Sequence, residues 1–191
     1  EQDHPEHRDD RDDADDDGQC AGEPGTARFL ERVRVRMCHD DRVPCDDDTA
    51  PEHLPGGSGG VWKVGRTVRR PTGPWTPAVH ELLNWLSREG LGGIPHVGGI
   101  DEDGREIVSY IEGRGVPVDD EVVLDGVLVE AATWLRDFHD IVEGFRPDGS
   151  RTWRQAGEVE LEPGQIICHN DPGAYNWIIQ SGHFVAMIDW D

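Results

Sequence analysis

The closing stretch Ile167–Asp191, ICHNDPGAYNWIIQSGHFVAMIDWD, decides how the rest of the chain is read. It sets a histidine, an asparagine and several aspartates among apolar residues of strand character. Charged side chains are rarely buried without a partner or a metal ion. The pieces WIIQ and FVAMIDW are separated only by Ser181-Gly182, which predicts a β-hairpin with a tight turn. QIICHN, before it, predicts a further strand, with Cys168 as a buried free thiol beside His169. Within this stretch Asp171 and Asn176 lie five positions apart, with His169 two before the aspartate. That is the H-x-D-x-x-x-x-N spacing of a phosphoryl-transfer loop, in which the aspartate takes or orients the acceptor proton and the asparagine ligates magnesium. A hairpin would return the chain antiparallel and set Asp189 near Asn176, about 5 Å away across the strands. Hard oxygen ligands of this kind suit Mg2+, whose shell phosphates and water would complete.

Working outward, a long helix precedes the stretch, with Leu128, Ala131, Leu135, Phe138 and Val142 on one face. Between helix and hairpin, RPDGSRTWRQAGEVELEPGQ reads as a loop. Further upstream, GVWKVG and TVRRP read as two short strands. WTPAVHELLNWLSREG reads as a helix capped by Thr76, opened by Pro77 and ended by Gly90. IPHVGGIDEDGREIVSYIEG reads as a hairpin turned at DEDG, and EGRGVPVDD as a linker.

Composition narrows the function. The 191 residues carry a formal charge of −22 and a pI near 4.6, which argues against a nucleic-acid backbone or an anionic membrane surface as partner. No apolar run approaches the roughly 18–20 residues that span a bilayer, and the expectation is a cytoplasmic protein. Residues 1–53 are acidic and without periodicity, so a disordered head is expected. This head is read as a dispensable extension, beginning at Glu1 and upstream of a natural start. Cys20, Cys38 and Cys45 lie in it without metal-type spacing.

At HNDPGAYN and AMIDWD the chain resembles the aminoglycoside phosphotransferase family, small-molecule kinases with a protein-kinase-like fold. VGRTVRRPTGPWTPAVHELLNWL and WLRDFHD are similar to segments of bacterial members. The resemblance implies an α+β, two-lobed, protein-kinase-like fold. Residues 54–112 would form a β-rich N-lobe and 113–191 an incomplete helical C-lobe, cut short after the metal motif. It implies ATP and Mg2+ as cofactors and phosphoryl transfer to the hydroxyl of a small molecule. Asp171 would be the catalytic residue, and Asn176 and Asp189 the metal ligands. Gly56, Gly57, Ser58 and Gly59 would cover the nucleotide, Tyr110 would lie in the hinge against the adenine, and Arg69 would take the place of the phosphate-binding lysine. The alternatives are a truncated, non-catalytic nucleotide-binding remnant and a metal-dependent hydrolase, the latter needing more His and Asp ligands than the closing stretch offers.

Overall fold

A computed structural model describes residues 50–54, 60–116 and 125–191. Its architecture is mixed α+β, with antiparallel sheets and, among the described residues, two α-helices. The first sheet has five strands in the order β1-β2-β3-β5-β4. These are β1 (Glu52–His53), β2 (Trp62–Val64), β3 (Thr67–Pro71), β4 (Val97–Ile100) and β5 (Arg105–Ser109). The expected strands and the DEDG hairpin all appear here, and β1 extends the sheet into the stretch read as head.

Helix α1 (Thr76–Arg88) buries Ala78, Val79, Leu82, Leu83 and Leu86, the apolar spacing seen in the sequence. Its first helical residue is Thr76 and its N-cap is Trp75, so Thr76 is not the cap. The Thr76 hydroxyl instead accepts from the Gly73 N–H at 3.0 Å and closes the preceding turn. Gly90 ends the helix as expected, at φ +87°. Its N–H donates to Ser87 and the Leu91 N–H to Leu86, the paired bonds that satisfy terminal carbonyls when a left-handed residue follows a helix.

A second sheet, in the order β10-β9-β6, unites β6 (Arg114–Gly115), β9 (Trp177–Gln180) and β10 (His183–Met187). Ser181 and Gly182 both have positive φ, the turn whose twist matches a two-residue hairpin. The β9–β10 register runs from His183 opposite Gln180 to Met187 opposite Trp177, with an irregularity between Phe184 and Ala186. Helix α2 (Asp125–Val142) packs on β10. Its buried stripe is Val127, Ala131, Trp134, Phe138 and Val142. Leu128, expected on that face, is 53% exposed: the stripe runs through Val127 and Trp134, and a tryptophan there buries more apolar area than Leu128 would.

Two further expectations are corrected. The long loop before the closing stretch contains a hairpin, β7 (Arg151–Trp153) with β8 (Gly157–Val159). Arg151 clamps it to α1 through both oxygens of Glu81, at 2.5 and 3.1 Å. The segment QIICHN is not a strand, and Cys168 is exposed. The segment joins none of the sheets, and Ile166 and Ile167 instead pack against the core from an irregular stretch.

One apolar core joins these parts, from Leu82 and Leu86 of α1 through Phe138 of α2 to Phe184, Met187 and Trp190. Gly93 permits the close approach: a Cβ there would lie 2.8 Å from the Val185 carbonyl oxygen and 2.9 Å from Trp134 Nε1. No helix among the described residues is long and apolar enough to cross a membrane.

Candidate functional site

The residues picked from the closing stretch do come together. After Gly173 the chain makes one 3-10 turn (Ala174–Asn176) and enters β9. This turn folds Asn176 back on Asp171, and its Nδ2 donates to the Asp171 carbonyl at 2.9 Å and to Asp171 Oδ2 at 3.2 Å. The Tyr175 hydroxyl donates to Asp171 Oδ1. Five-residue spacing is thus what allows the aspartate and asparagine to close this loop. On the other strand, the Ile188 N–H donates to the Asn176 carbonyl at 2.9 Å, so Asp189 follows directly beside Asn176.

His169 is tied into the same corner. Its Nε2–H donates to the Ile188 carbonyl at 3.0 Å, and its ring lies edge-on to Trp190 with centroids 4.7 Å apart. Burial pushes its pKa below the ordinary value, against the opposing pull of the Ile188 bond and nearby aspartates. The imidazole is therefore held neutral and acts as a packing and hydrogen-bonding group.

A network of Arg70, Glu106 and His80 anchors this corner to the first sheet. Arg70 of β3 pairs with Glu106 of β5, donates through Nη2 to the Trp190 carbonyl at 2.6 Å, and lies 3.6 Å from Asp189. Glu106 is 2% exposed and also meets His80 Nε2 of α1 at 2.8 Å. Alternation along a strand put Arg70 and Glu106 on the inner face. Two charged residues at inward positions of neighbouring strands were the available signal. Arg69 is on the other face of β3, with Nε 3.9 Å from Asp101. Tyr110 lies beneath the Lys63 ammonium, 3.8 Å from the ring centroid. Neither joins the Asp171 corner. Gly56, Gly57, Ser58 and Gly59 lie outside the described residues.

The corner opens into a recess of about 420 Å³. Its walls come from α1 (Val79, Leu82), the β7–β8 region (Trp153, Val159), the segment through Ile166 and Cys168, and Trp190. Asp171, Asp189 and Asp191 line it too. Asn170 and Asp189, both at its edge, adopt left-handed backbone at φ 64° and 65°, a conformation uncommon for residues other than glycine and one that gathers at binding sites.

As metal ligands, Asn176 and Asp189 supply one amide and one carboxylate. Among the described residues no group of three or more His, Cys, Asp or Glu side chains is placed to hold an ion. A magnesium ion bound by so few protein groups draws the rest of its shell from water and phosphate, so these two residues by themselves do not select it.

Partial burial, with Asp191 next, raises the Asp189 carboxyl above its ordinary pKa, outweighing Arg70 and Arg154. Because the Asp189 side chain is 54% exposed, solvent screens this penalty, and ionised Asp189 is only a small cost to the folded state at neutral pH, a cost absent once the group is protonated in both states. Asp189→Asn, which keeps a residue tolerant of left-handed backbone, is expected to raise the melting temperature at pH 7. The gain should vanish below about pH 3.8, the ordinary value. A lower melting temperature at pH 7 would mean that the Arg70 contact outweighs burial.

No family model and no solved structure matches the chain. A relative does: the chain is 36% identical over 142 residues to a trifolitoxin immunity protein from Rhizobium leguminosarum bv. trifolii. The match covers 71% of this chain and 52% of the relative, so the chain spans about half the length of the relative it matches.

This comparison corrects the functional reading of the closing stretch. The relative is named for immunity, and the resemblance to aminoglycoside phosphotransferases, with the small-molecule kinase activity and ATP-dependent transfer it implied, is set aside. The geometry offers a reason for the motif that needs no phosphoryl transfer. Asp171 and Asn176 are bonded to each other, and Asp189 follows the strand that pairs with β9.

Proposed function

We propose that this chain serves in immunity to a toxin, the role stated in the name of its relative. The carrying observation is the 36% identity sustained over 142 residues. The recess is the candidate place of action: it is a concavity whose lining is about equally apolar and polar, with Trp153 and Trp190 lining it alongside Asp171 and its neighbours. Protection would then come from holding a ligand.

The test is growth under challenge. Toxin-sensitive cells producing the chain are expected to grow at trifolitoxin concentrations that stop cells carrying an empty vector. Equal inhibition of the two, with the chain present and folded, would reject the proposal.

A further inference from the structure

We propose that the recess binds an apolar group bearing an ammonium or guanidinium. The proposal rests on the immunity reading for its biological sense, while its chemistry follows from the recess alone.

The body of the ligand is set by Leu82, Trp153, Val159, Ile166 and Trp190, which give the recess apolar walls. Burying an apolar group against them removes hydrocarbon surface from water, which favours binding. The head is set by charge. Asp191 is paired with Arg154. Asp189 has Arg70 at 3.6 Å, a guanidinium already shared with Glu106. Asp171 differs from both: its carboxylate accepts from the Tyr175 hydroxyl and the Asn176 amide, two neutral donors, and has no cationic partner among the described residues. His169 supplies no compensating charge, since its burial keeps the ring neutral. The recess thus contains a carboxylate whose charge is uncancelled, beside apolar walls that lower the local dielectric.

Ligand classes separate on that basis. A cation placed at Asp171 gains a charge-assisted hydrogen bond, roughly twice as strong as a neutral one. A neutral hydroxyl of the same shape still donates a hydrogen bond to the carboxylate but lacks the ion-pair attraction of opposite charges. A carboxylate or phosphate meets the uncancelled Asp171 and is repelled. An apolar amine is therefore the favoured occupant.

The experiment titrates the full chain with 4-phenylbutylamine, 4-phenylbutan-1-ol and 4-phenylbutanoate. Indole N–H resonances of Trp153 and Trp190 report the recess, with Trp85, which does not line it, as control. The amine is expected to shift both recess signals and to bind at least tenfold more tightly than the alcohol, with the acid weakest. Asp171→Asn should bring amine and alcohol close to equal affinity, with the amine losing more than the alcohol, and Asp171→Glu should restore the preference. Equal binding of amine and alcohol by the unaltered chain would overturn the proposal. So would a preference that survives Asp171→Asn, or no shift at Trp153 and Trp190 with any probe. Because no toxin is used, the outcome is separable from the growth test. Amine preference without protection rejects the immunity reading alone, and protection without amine preference rejects this ligand chemistry alone.

Discussion

Arg70→Met is expected to destabilise the fold by about 3 kcal/mol, since removing one partner of a buried ion pair strands the other. The stranded group is Glu106, 2% exposed, which would keep only His80. The same change frees the Trp190 carbonyl and removes the cation nearest Asp189, so the edge of the recess should loosen along with the global loss. Replacing both partners, Arg70→Met with Glu106→Leu, should recover most of the stability, because two apolar residues of similar volume leave no charge buried. Urea unfolding of the two single variants and the double would show it. A loss below about 1 kcal/mol for Arg70→Met, or a double variant no more stable than the single, would mean that the network is solvated in solution.

Phe138→Ala should cost about as much or more, roughly 3–5 kcal/mol. Phe138 has no exposed surface. It stacks on Trp134 with ring centroids 5.8 Å apart and meets Trp190 edge-on at 5.4 Å. Trp190 in turn forms a wall of the recess and the edge-on neighbour of His169. The cavity left by the missing ring is therefore expected to affect both stability and the recess, visible as a shift of the Trp190 indole resonance. An unfolding midpoint near that of the unaltered chain would show that this cluster relaxes to fill the space.

Local patterns carried much of the fold. The apolar spacing of α1, the glycine that ends it, and the Ser181-Gly182 turn are short-range signals, decided by residues within a few positions of one another. Where the reading failed, distant contacts decided the matter. Leu128 lost its place to Val127 and Trp134 because the orientation of α2 is set by β10 and by the Trp134 N–H reaching the Gly92 carbonyl. The segment around Cys168 has strand-like composition, but Ile166 and Ile167 bury their side chains against the core without pairing to a sheet, and β-propensity yields to such context. The β7–β8 hairpin, of strands RTW and GEV, has only Trp153 and Val159 as apolar residues to announce it, and its clamp to Glu81 joins residues seventy positions apart.

Only part of the corner was legible in its residues, since Arg69 and Tyr110 do not join it, and its function was misread. The spacing correctly joined Asp171, Asn176 and Asp189 in one corner. That juxtaposition serves loop closure as well as chemistry, and a spacing motif alone does not separate the two. The joining of Arg70 and His80 through Glu106 was harder to see, since these contacts link β3, β5, α1 and Trp190.

Immunity is the central claim, and the most direct test is a dose–response curve for growth under trifolitoxin. Three strains would be compared: empty vector, the chain, and the chain carrying Asp171→Asn at matched protein level. The account expects the chain to raise the inhibitory concentration at least tenfold and the variant to lose most of that rise. Superimposable curves for the chain and the empty vector would contradict it.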